Sequence, residues 1–153
     1  MTACAAQSLA PREASHAASK LLGMSTREAA CSCGQLRVQV DGDPVRVSVC
    51  HCLACQRRTG SAFGFQARWP VKAAQISGES REFVRGSDDL DEERRFHFCP
   101  ECGATVYYFS DAEFIAIPVG VLADPAFPEP QVSVWESRKH AWVTMPDGVQ
   151  REH

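Results

Sequence analysis

Positive charge is not in surplus in this sequence: sixteen Lys and Arg stand against nineteen Asp and Glu, for a net charge of -3. Duplex DNA and anionic lipid both call for a basic face, so neither is expected as a partner. Long apolar runs are lacking too. None approaches the roughly 18 apolar residues of a membrane helix. The first twenty residues carry Arg12, Glu13 and His16 where a signal peptide would be continuously apolar, and a cytoplasmic protein is expected. Cysteine falls short of the roughly 8 to 10% of a small disulfide scaffold. Eight cysteines are nevertheless more than a cytosolic chain carries idly. With 153 residues, 44% of them hydrophobic, the chain suits one globular domain.

Residues 1–24 show no strong apolar period and read as a flexible or weakly helical leader, with Met24 a candidate start and Cys4 a lone mobile thiol. From residue 25 to 153 the texture is that of a single domain. Leu36, Val38 and Val40 alternate with Gln35, Arg37 and Gln39 up to the turn Asp41-Gly42-Asp43-Pro44, which predicts a strand with one buried face. Val45, Val47 and Val49 repeat the pattern, as do Phe63, Phe65, Ala67 and Trp69 before Pro70. Further strands are expected at 82–85, 94–99, 104–109, 113–119 and 131–136, an acidic loop at 87–93 and a proline-rich connection at 124–130. Beyond the leader, only Leu53 to Thr59 reads as helical. No strand-helix-strand repeat is present, so the expected fold is mainly β with antiparallel sheets.

Seven cysteines fall in three groups: Cys31-Ser32-Cys33-Gly34, Cys50-His51-Cys52-Leu53-Ala54-Cys55, and Cys99-Pro100-Glu101-Cys102-Gly103. In an extended strand, residues i and i+2 share a face, so a Cys-x-Cys pair offers two thiolates to one ion. In a Cys-x-x-Cys turn, a following glycine accepts the positive φ that brings N–H groups toward sulfur. If Cys31 and Cys33 combine with Cys99 and Cys102, they form a closed four-sulfur shell. Cys50, Cys52 and Cys55 are then left as three thiolates with a fourth position open. A zinc ribbon of Cys52, Cys55, Cys99 and Cys102 is the competing partition, although the 43 intervening residues exceed the roughly 15 to 20 usual there. Disulfides are a third reading, disfavoured by the lack of a signal peptide.

These three groups resemble the glutathione-dependent formaldehyde-activating enzyme family, which also takes in centromere protein V. The likeness extends through Arg57, Gly60, Ser61, Ala62 and Phe63, through Phe98, and through Gly120-Val121-Leu122 with Asp124-Pro125. The resemblance implies a zinc-stabilised, tent-like β fold. It implies a structural zinc on Cys31, Cys33, Cys99 and Cys102, and a second zinc and glutathione at Cys50, Cys52 and Cys55, the catalytic group. It implies a carbon-sulfur lyase of the S-(hydroxymethyl)glutathione synthase type, with a small-molecule thiol and an aldehyde as partners. Gln56, Ala123 and Gln131 depart from the family's usual residues.

A thiol with two carboxylates would need cationic donors, and Arg57 and Arg58 follow the third cysteine directly. The solvated face of a helix is the competing reading of both. Alternation turns His51 away from Cys50 and Cys52. His97 and the aromatic residues Phe63, Phe65 and Trp69 read as packing. No general acid is visible, which keeps a second class open: a non-catalytic zinc-binding thiol carrier or interaction module.

Overall fold

The computed structural model describes residues 25–86, 93–109 and 111–152. The expected leader and residues 87–92 of the acidic loop lie outside the described residues. The elements are β1 (Thr26–Ala30), β2 (Arg37–Asp41), β3 (Arg46–Cys50), α1 (Leu53–Thr59), β4 (Gly64–Pro70), β5 (Ala74–Ser77), β6 (Arg81–Gly86), β7 (Glu93–Phe98), β8 (Thr105–Phe109), β9 (Phe114–Pro118), β10 (Val132–Val134) and β11 (Gln150–Glu152), with short 3-10 turns at Val71–Ala73, Val119–Leu122 and Glu136–Arg138. The protein is mainly β. Among the described residues no helix is long and apolar enough to cross a membrane.

The strands form a three-stranded sheet, β1-β2-β5, and an eight-stranded sheet, β11-β10-β3-β4-β9-β8-β7-β6. The alternation read from the sequence is the reason they meet. Leu36, Val38 and Val40 are fully buried while Arg37 and Gln39 are exposed, so the small sheet has one apolar face. That face joins Val47, Ala67, Trp69, Ile115 and Ile117 of the large sheet in the main core. Trp69 is fully buried, and its indole N–H donates to the Gly42 carbonyl at 3.1 Å, tying β4 to the turn after β2.

Antiparallel pairing prevails, but β10 runs parallel to both β3 and β11. Parallel neighbours need a crossover of about a dozen residues or more, and residues 135–149 supply it between β10 and β11. The far face of the large sheet is also covered in part: Phe96, Tyr108 and Ala116 form a second, smaller apolar cluster. Strand β4 therefore has both faces occupied, with Phe65, Ala67 and Trp69 toward the main core and Gly64, Gln66 and Arg68 on the opposite side.

Candidate metal centre

The structure brings Cys31, Cys33, Cys99 and Cys102 together, with all four sulfurs within 4.8 Å of one another. Cys31 and Cys33 do not lie on an extended strand, as their spacing suggested, but in a turn between β1 and β2. Gly34, at φ 77°, closes it by donating its N–H to the Cys31 carbonyl at 2.9 Å. The Cys99–Gly103 turn repeats the device, with Gly103 at φ 73° and its N–H on the Cys99 carbonyl at 2.9 Å. A turn aims N–H groups at sulfur where a strand would spend them on its neighbour. Leu36 N–H reaches the Cys31 sulfur at 3.2 Å and the Gln35 amide reaches that of Cys99 at 3.3 Å. Burial opposes ionisation of Cys99, but the N–H groups of Cys102 and Glu101 and the Gln35 amide outweigh it and bring the thiol down to about 6. The contacts Cys31–Cys33 at 3.5 Å and Cys33–Cys99 at 3.6 Å match the ~3.8 Å separation of four sulfurs held tetrahedrally at about 2.3 Å from one zinc ion. This donor set fits such an ion.

Cys50, Cys52 and Cys55 form the second group, also within 4.8 Å. Cys50 ends β3, Cys52 caps α1 and accepts the Cys55 N–H at 3.3 Å, and Cys55 lies in the first turn of that helix. Among the described residues no His, Asp or Glu completes the set. Hydrogen bonds from the Cys50 and Cys55 thiols pull the Cys52 thiol down to about 2, with the Arg85 charge acting in the same direction. The bond to Cys52 holds Cys50 well above the usual thiol range. All seven described cysteines are free thiols.

His51 is turned away from the sulfurs, as alternation implies, but into the interior rather than toward solvent. It is fully buried, with Nε2 at 3.1 Å from the Ser133 hydroxyl on β10, and that hydroxyl also bonds the Glu136 carboxylate. Gln56 adds a second tie: its amide donates to the His51 and Arg138 carbonyls at 2.8 and 3.1 Å, and its oxygen meets His140 at 3.0 Å. His97 lies apart from both sulfur groups, stacked on Tyr107 at 4.4 Å.

Arg57 is exposed. Arg58 is half-buried, its guanidinium carbon 4.9 Å from the Phe96 ring centre and 5.7 Å from that of Tyr108. Gly64, paired with Cys50, lies beneath it. A Cβ there would stand 3.3 Å from Arg58 Nη2, from Cys55 Cβ and from Gln66 Oε1. Tyr108, held up to about 12 chiefly by burial, completes this wall. Tyr108, Gln66, Arg68 and Arg85 were not anticipated from sequence; each sits at an ordinary strand position with no motif around it.

A family model described as glutathione-dependent formaldehyde-activating enzyme matches residues 26–138. No curated protein matches the chain. Among solved structures, the crystal structure of a Rhodobacter sphaeroides protein is similar, with 19% identity, a TM-score of 0.50, and coverage of 64% of this chain and 91% of that one. At that identity the likeness is one of fold.

Proposed function

This chain belongs to the glutathione-dependent formaldehyde-activating enzyme family, and from that premise we propose that it joins a thiol such as glutathione to a small aldehyde such as formaldehyde at Cys50, Cys52 and Cys55. In this reading residues 25–153 are the zinc domain, Cys31, Cys33, Cys99 and Cys102 hold a structural zinc ion, and Cys50, Cys52 and Cys55 hold a second. The observation that carries it is the contrast between a four-sulfur group and a three-sulfur group. Four thiolates close a tetrahedral shell, whereas three leave a place for a substrate atom.

The addition balances without loss: the thiol sulfur bonds the carbonyl carbon, the C=O π bond breaks, and the thiol proton ends on the new hydroxyl of S-(hydroxymethyl)glutathione. Zinc at the three thiolates would supply an open coordination position that lowers a thiol pKa and polarises a carbonyl. The chain's own part is to keep the three sulfurs converged through the Cys52 cap and the His51 anchor, and to offer Arg57 and Arg58 to the carboxylates. Arg58 is the better placed, since it lies over the wall beside Cys55. One observation favours the carrier reading: His51, the imidazole closest in sequence, is committed to Ser133 and faces away.

Metal analysis with a glutathione titration, followed by NMR of labelled formaldehyde and glutathione, tests the proposal. The expected result is two zinc ions per chain and adduct formation above the uncatalysed rate, lost in Cys52→Ser and Cys55→Ser while the fold remains. Binding without any rate increase would leave the carrier. Equal unfolding by substitutions in both groups would make all seven cysteines structural.

A further inference from the structure

Among the described residues four strands pair on one side only: β1 and β5 in the small sheet, β11 and β6 in the large one. A free edge exposes a row of backbone N–H and C=O groups, and proteins blunt it with short strands, charges, proline or bulges. Three of the four edges follow that rule. Strand β11 is three residues long and wholly polar, β5 is four residues long, and β1 carries Thr26, Arg27 and Glu28. Strand β6 is the exception. It runs six residues, Arg81–Gly86, without a proline and in unbroken register with β7. Phe83 and Val84 in its middle are 57% and 39% exposed, one on each face.

The order of residues along this edge says what fits it. Two copies of a strand joined antiparallel in one sheet are related by a two-fold axis normal to that sheet, which keeps every side chain on its own face. One residue must therefore sit opposite itself. Like charges directly opposite each other are destabilising, and centring on Arg81, Glu82 or Arg85 puts such a pair on the axis. Centring on Phe83 sets Arg81 opposite the partner's Arg85, and centring on Gly86 overlaps the strands at that residue alone. Only Val84 remains. In that register Val84 packs on the partner's Val84, and Phe83 and Arg85 each lie opposite the other residue of the partner. Each guanidinium thereby gains an aromatic ring, as Arg85 does within its own chain from Phe96, whose ring centre is 5.7 Å away. Glu82 lies opposite the partner's Gly86, a position where even an added Cβ would touch nothing, and it keeps its ion pairs to Arg95 and His97 on β7.

We propose that β6 is a homodimer edge, on which a second copy of this chain lays its own β6 antiparallel about a two-fold axis at Val84, so that the two large sheets become one.

Sedimentation and hydrogen exchange of the zinc-loaded full chain test it without any variant. The expected result is a species of twice the chain mass that dissociates on dilution. Outward amides of β6 should exchange about tenfold or more slowly in it than in the monomer, while those of β1, β5 and β11 are unchanged. A chain that stays monomeric at every concentration overturns the proposal, as does a dimer in which β6 gains no protection. Protection of β6 that does not depend on concentration assigns the edge to another segment of the same chain and overturns it equally. The register has its own test. Val84→Lys and Val84→Glu each put like charges on the axis and should be folded monomers by circular dichroism, whereas an equimolar mixture of the two should recover the dimer. Either variant dimerising alone as tightly as wild type overturns the pairing at Val84.

Discussion

Ser133 has one hydroxyl proton, and it goes to the Glu136 carboxylate, so the Ser133 oxygen is left to accept the proton on His51 Nε2. The neutral imidazole is thereby fixed with its proton on Nε2, and its Nδ1 is buried without a partner. Ser133→Ala strands a buried donor, and melting of the zinc-loaded protein should fall by about 1 to 3 kcal/mol in stability. Glu136 is held below its ordinary value of 4.5 first by the Ser133 hydrogen bond and then, against burial, by Lys139 and Arg151. Its folded pKa lies below the unfolded one, so the stabilisation is complete above about pH 4.5 and is lost as pH falls through the folded value. Melting curves of Glu136→Gln across the acid range should therefore be flatter than those of wild type. An unchanged acid limb would remove Glu136 as a contributor.

Strand β5 ends at Ser77 and is followed by Gly78, where φ is 89° and an added Cβ would lie 2.0 Å from the Gln35 carbonyl oxygen. Gln35 in turn exchanges two 2.7 Å bonds with Glu79 and touches the Cys99 sulfur, so this turn is pressed against the four-sulfur group. Gly78→Ala should cost at least about 2 kcal/mol through backbone strain and clash. Zinc retention measured alongside melting would show both declining together. The turn was not legible in the sequence, and neither were β1, β5 and β11. Strands β5 and β11 are mostly exposed edges, so no buried face imposes alternation on them. Strands β2, β3 and β4 were legible because Val38, Val40, Val47, Ala67 and Trp69 each had a core to face. The cysteine groups were legible because metal spacing is local, whereas Arg68 and Arg85 have no motif around them and come to the apolar cluster of Phe96, Tyr108 and Ala116 only once β4, β6, β7, β8 and β9 are assembled. The parallel setting of β10 could not be read at all, since its partner β3 lies more than eighty residues earlier.

In the proposed function the two sulfur groups divide the labour of the molecule. Cys31 and Cys33 join the end of β1 to the entrance of β2, while Cys99 and Cys102 join β7 to β8, so the four-sulfur group couples the small sheet to the large one. Cys99→Ser should therefore abolish soluble folding or sharply lower melting, and Cys50→Ser should not; chelator titration followed by circular dichroism separates the two. A soluble Cys99→Ser protein with full zinc and unchanged melting would contradict this division. The placement of β10 also sets a timetable for synthesis. Ser133 follows His51 by 82 residues, so a ribosome adding ~5 to 20 residues per second delivers the anchor roughly 4 to 16 s after the thiols it steadies. Strands β3 and β4 can pair long before then, so the nascent chain carries Cys50, Cys52 and Cys55 on a sheet edge that β10 has yet to cover.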